Sequence, residues 1–171
     1  MDERHNHHEI KKESVLVTYR PLILILGFII VVDGVILNTV GDLSVRDAMR
    51  IFMGLFFLLF GFFKTLDWKG FVGAYTEYDI LAKRSRTYAT LYPAIELALG
   101  ILYLLNAFPT ATNIVTVIVM GIGSIGVIQT LLDKKKIRCA CLGTVVKLPM
   151  TTVTVIEDIG MGIMALAILL L

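Results

Sequence analysis

The sequence predicts an all-α, polytopic membrane helix bundle, and three observations carry that reading. The chain is 57% hydrophobic, against ~45–50% in soluble domains, and its mean hydropathy is +0.81. The excess is gathered in a few long apolar runs. Lys and Arg fall almost entirely on one side of those runs. At 171 residues there is room for one compact domain. The net charge of +2 implies no polyanion-binding surface, so nucleic acid is not an expected partner. A polar tail, residues 1–19, precedes the first run with no Ala-x-Ala-like site after it, so no removable signal peptide is expected.

A spanning helix needs ~20 mainly apolar residues, with ~17–25 workable. The first span is read at 21–40 (PLILILGFIIVVDGVILNTV) and the second at 48–63, centred on IFMGLFFLLFGFF. The third is 91–108, the fourth 111–132 and the fifth 150–171, so residues 20–171 form one transmembrane helical domain. The second is the shortest. Arg50 and Lys64 extend it if their long stems snorkel to the interface.

Fourteen of the sixteen basic residues lie ahead of span one (Arg20 included), in the loop after span two and in the loop after span four; only Arg46 and Arg50 lie on the other side. Cytoplasmic segments carry the Lys/Arg excess. The expectation is a multi-pass protein of the inner (plasma) membrane, N-terminus cytoplasmic and C-terminus outside. Between spans two and three, Trp68, Phe71, Tyr75, Tyr78, Ile80 and Leu81 alternate with charges at roughly helical spacing. That suits an interfacial helix over 65–88, and Tyr88, Tyr92 and Tyr103 suit aromatic belts.

Gly121, Gly123 and Gly126 spell G-x-G-x-x-G, but inside an apolar helix, with no preceding strand and no acidic residue ~20 positions on. They read as helix-packing positions, as do Gly54, Gly61, Gly160 and Gly162. Such faces also allow homo-oligomers.

The chain has two cysteines, Cys139 and Cys141, both within KKKIRCACLGTVVKLPM. Thiols one residue apart can reach a single soft ion such as copper, zinc or mercury. Lys136 and Arg138 favour the thiolate, which is both ligand and nucleophile. In a reducing cytoplasm, metal binding is favoured over a structural disulfide, while a transient redox relay stays open. The bland alternative is a pair of incidental interfacial cysteines. A closed zinc site needs four ligands, so others must come from elsewhere. His5, His7 and His8 in the tail are candidates, though the tail also reads as a plain soluble extension.

Four acidic residues fall at membrane depth: Asp33 in span one, Glu96 in span three just past Pro93, and Glu157 and Asp158 in span five. Such groups are costly and face a bundle interior or wet cavity. They could carry a cation, relay protons, or pair with Arg50 or Lys64.

The stretches RIFMGLFFLLFGFFK, KGF, YTEYDILAKR and YPAIELALGILYLL, in that order, resemble the MauE/DoxX family of small redox-associated membrane proteins. The resemblance covers roughly residues 48–171, and RCACLGTVVKLPM looks like a branch linked to heavy-metal handling. It implies a four-helix DoxX-like core plus one additional N-terminal transmembrane helix. It also implies a role in thiol redox or metal traffic, with a metallochaperone, a thioredoxin-like protein or a membrane complex as partner. It carries over no catalytic residue. The functions in view are soft-metal handling through Cys139 and Cys141, a thiol–disulfide relay, and a non-catalytic assembly subunit. No Walker-type motif supports ATP-driven pumping.

Overall fold

A computed structural model describes residues 15–41, 44–132 and 150–171. Every element it describes is a helix: α1 (Val15–Val40), α2 (Val45–Leu66), α3 (Trp68–Tyr78), α4 (Ile80–Arg84), α5 (Arg86–Leu104), α6 (Pro109–Leu132) and α7 (Met150–Leu170). Segments within α1, α2, α5 and α6 are long and apolar enough to cross a membrane. The fifth predicted span corresponds to α7.

The boundaries follow local chemistry. Ser44 and Asp47 form a capping box, with the Asp47 N–H donating to Ser44 Oγ at 3.3 Å and the Ser44 N–H donating to Asp47 Oδ2 at 3.2 Å. Asp67, Asp79 and Ser85 then cap α3, α4 and α5 by accepting from the N–H groups of Gly70, Ala82 and Tyr88. Each satisfies a donor that a helix start leaves open. At the turn before α6, Asn106 and Phe108 take left-handed backbone angles, φ 52° and 47°. Asn tolerates that region; an aromatic residue is strained there.

Two helix pairs make up the bundle: α2 with α5, and α6 with α7. Within lipid there is little hydrophobic drive between helices, so close approach at small residues supplies the packing energy. A Cβ on Gly100 would meet the backbone N of Leu58 at 2.9 Å and the carbonyl of Gly54 at 3.0 Å. One on Gly61 would meet Leu97 at 3.1 Å. Phe56, Phe57 and Phe60 fill the inner face of α2, with Phe56 and Phe60 stacked at 4.1 Å.

The additional N-terminal helix stands to one side. Its main packing is on α2, and only 6% of its apolar window is buried. The predicted interfacial segment corresponds to helices α3 and α4. They fold onto α2, α5 and α6, and Phe71, Tyr75 and Tyr78 are buried against the bundle, leaving Trp68 and Leu81 partly exposed. Helical spacing identified the apolar face correctly; that face meets protein. Two belt assignments are corrected. Tyr92 and Tyr103 are core residues, and the Tyr103 hydroxyl donates within a buried cluster to Asn113 Oδ1 (2.9 Å) and Thr116 Oγ1 (3.0 Å). A phenol finds those partners only inside the bundle.

Candidate functional site

The charged residues of the interior gather near the end of α2, midway along α5 and in the first half of α7. Lys64 sits in the last turn of α2 and is 7% exposed. It does not snorkel. Its ammonium makes a buried ion pair with Glu96 Oε1, and Glu96 is 3% exposed. The physical reason is proximity: α2 and α5 pack so closely through their glycines that the carboxylate is nearer than water. Glu96 lies one turn beyond Pro93, which removes a backbone donor inside α5.

Aromatic rings enclose the ammonium. Lys64 Nζ stands 5.0 Å from the Tyr92 ring centre and 5.7 Å from that of Phe71, both within cation–π range. Tyr75 packs 4.5 Å from Tyr92 and 5.4 Å from Tyr78, so the rings form one continuous wall from α3 to α5.

Two further carboxylates approach along α6. A Cβ on Gly123 would meet Asp158 Oδ2 at 2.9 Å. One on Gly126 would meet the carbonyl of Tyr78 at 2.9 Å and Asp79 Cα at 3.0 Å. Positions 123 and 126 are three residues apart, about 4.5 Å along the axis. The glycine spacing therefore seats α7 and the α3–α4 junction one above the other on α6. Gly121 and Gly160, by contrast, have open space where a Cβ would point, and Gly162 has only an ordinary contact with Met120.

Asp79 is 0% exposed; its Oδ1 caps α4, and its Oδ2 is buried without a partner among the described residues. Glu96 Oε2 and Glu157 Oε1 are in the same condition. Lys64 acts electrostatically on Glu96, Glu157 and Asp158 alike. On α3, burial pushes the Tyr78 phenol well above its usual ionisation range, reinforced by Asp158, Asp79, Glu96 and Glu157. Tyr78 therefore remains a neutral hydroxyl. Three carboxylates thus share the field of one ammonium at membrane depth, where uncompensated charge is costly. Such a cluster is suited to taking up protons.

Of the residues singled out from sequence, Glu96, Glu157 and Asp158 come together here. Asp33 does not: it stands on α1, with Oδ1 buried and unpartnered among the described residues. Arg50 is not a free snorkelling side chain either. It donates from Nη1 to the carbonyls of Tyr103 (2.6 Å) and Leu104 (3.2 Å), because the end of α5 lies beside it. Cys139, Cys141, His5, His7 and His8 lie outside the described residues. Among the described residues, no three His, Cys, Asp or Glu side chains are arranged to hold a metal ion.

Sequence reasoning offered Lys64 both as a snorkelling residue and as a partner for the membrane-depth carboxylates, and the pairing is what the structure has; it missed Asp79 as a site residue. Asp79 reads as an ordinary helix cap, and only the tertiary fold buries its second oxygen.

A family model described as "Methylamine utilisation protein MauE" matches residues 37–171. No curated protein and no solved structure matches the chain.

Proposed function

The chain belongs to the MauE family of membrane proteins, and from that premise we propose that it handles a soft metal ion through the thiolates of Cys139 and Cys141. One observation carries the reading. The segment holding both thiols joins the end of α6 to the start of α7, the same end of the bundle at which Lys64, Glu96, Glu157 and Asp158 gather. An ion captured by two thiolates needs further donors and a place for released protons. In this reading Glu96, Glu157 and Asp158 take up the released protons, and the further donors come from elsewhere. Glu157 is seven residues into α7, about 10 Å of rise from its first residue. The basic residues of the same segment put it on the cytoplasmic side by the Lys/Arg rule.

A second reading is favoured by family membership, since the family is named for methylamine utilisation rather than for metals. In a thiol–disulfide relay, one thiolate attacks the disulfide of a partner protein and forms a mixed disulfide. The second thiolate displaces the partner as a dithiol, and Cys139 and Cys141 are left joined. Two electrons pass to the partner, and the protons exchanged have carboxylate acceptors nearby.

The test is titration of the purified, fully reduced protein in detergent with Cu(I), Zn(II) and Hg(II) against competing chelators. Wild type is compared with Cys139→Ser/Cys141→Ser. Tight binding of one ion that the double variant lacks is the expected result. Equal binding by both proteins removes the metal reading. A defined two-electron midpoint potential, lost in the double variant, would then support the relay.

A further inference from the structure

At the opposite end of the bundle from the cysteine-bearing segment lies a cavity of about 320 Å³. Its wall is formed by the start of α2, the α5–α6 turn, the start of α6 and the end of α7. The size falls within the ~300–1,000 Å³ usual for small-ligand sites. Arg46 and Arg50, the two basic residues that sequence places on this side, both line it, with Asp47, Asn106, Thr110 and Asn113.

The arginines have work to do locally, but it does not use them up. Arg46 Nη2 donates to the carbonyl of Ile168 at 2.8 Å, and Arg50 Nη1 to those of Tyr103 and Leu104. A guanidinium has five N–H donors in a rigid fork. Arg50 Nε is buried with no acceptor among the described residues. Leaving such a charged donor unsatisfied is costly, and an oxyanion removes the cost. Asp47 offsets one of the two charges, standing 3.5 Å from Arg50 Nη2, so the described side chains leave the cavity one positive charge in excess. Pro109 begins α6 without an N–H, and Thr110, whose N–H precedes the first intrahelical bonds, lines the same cavity.

We propose that this cavity binds a phosphate oxyanion, held by Arg46 and Arg50 at the membrane surface on the side away from the cysteines. The phosphate belongs either to an anionic lipid headgroup or to a small soluble phosphate; the fork geometry of the two guanidinium groups suits both. This site shares no residue with the Lys64–Glu96 cluster, so its failure and that of the metal reading are separable.

The experiment uses the full chain in a neutral detergent. Thermal unfolding is followed with added phosphatidylglycerol, phosphatidylcholine, or inorganic phosphate, with chloride at matched ionic strength as control. Stabilisation by phosphatidylglycerol alone identifies a lipid headgroup; stabilisation by inorganic phosphate as well identifies a free anion. Arg46→Gln is the principal variant, because Arg46 is solvent-exposed and its loss leaves the Arg50 bonds to α5 in place. Loss of one charge-assisted contact should weaken the apparent affinity about tenfold or more, and the ligand-induced shift is measured from the variant's own unliganded melting temperature, since the Ile168 bond is lost as well. Arg50→Lys, which keeps the charge but not the fork, should weaken it as well. The proposal is overturned if neither phosphate source stabilises beyond the phosphatidylcholine and chloride controls. It is equally overturned if Arg46→Gln binds as the wild type does.

Discussion

Removing either half of the Lys64–Glu96 pair tests whether that pair organises the bundle. Both groups are nearly inaccessible to solvent, so neither can exchange its partner for water. Breaking a buried pair from one side costs about 3–5 kcal/mol, because the surviving charge stays buried. For Glu96→Gln the lower end, about 3 kcal/mol, is expected, since Glu157 and Asp158 still act on Lys64. Lys64→Met also forfeits its placements over Tyr92 and Phe71, worth about 0.5–2 kcal/mol each. The double variant, with no orphaned ammonium and no carboxylate at position 96, should cost less than the sum of the singles. A coupling of about 2 kcal/mol or more is anticipated, near the upper part of the range for directly interacting residues. Reversible unfolding in mixed micelles, followed by circular dichroism, gives all four corners of the cycle. Single variants within about 0.5 kcal/mol of wild type, or a strictly additive cycle, would refute the assignment.

Other expectations concern packing and ionisation. Alanine at Gly126 collides with backbone at the α3–α4 junction and should cost about 1–3 kcal/mol. Alanine at Gly121 or Gly160 meets nothing and should be neutral, or stabilising by up to about 1 kcal/mol through helix propensity; melting curves of the three variants separate the cases. Burial also lifts the Tyr75 and Tyr78 phenols on α3 well above their ordinary value of 10.0. An acid whose folded value is raised contributes stability below the unfolded value, and that contribution is lost as pH rises through and beyond it. The fold should therefore weaken above about pH 10, and Tyr78→Phe should blunt that loss. A pH–stability profile identical in the variant would count against the phenol's role.

Much of the architecture was legible because membrane solvation leaves so few options. Five apolar runs correspond to α1, α2, α5, α6 and α7, and the charge asymmetry separates the two ends. Pattern alone did not reveal what the amphipathic faces meet. Phe71, Tyr75 and Tyr78 have the spacing of an interfacial helix, and that spacing is the same whether the face meets lipid or protein. Sequence leaves Lys64 two readings, snorkelling to water or pairing with a carboxylate at membrane depth, because a lysine near a span end ordinarily reaches water. Its partner lies 32 residues away, and a long-range pair leaves no local periodic trace. The role of Gly123 and Gly126 as packing positions was readable, but the identity of their neighbours, Asp158 and Asp79, was not.

The helix contacts also have a mechanical consequence. Contacts are dense within α2–α5 and within α6–α7, but sparse between α5 and α6 and between α2 and α7. The bundle is two closely packed planks with a thin seam, and α3–α4 is the clasp across it, joined to one plank by the chain and seated on the other at Gly126. Sliding of one plank along the other must first lift that clasp. The carboxylates beneath it, Asp79 from the clasp and Asp158 from the far plank, would then part company. The seam's alignment and the charge arrangement are thus a single mechanical coordinate.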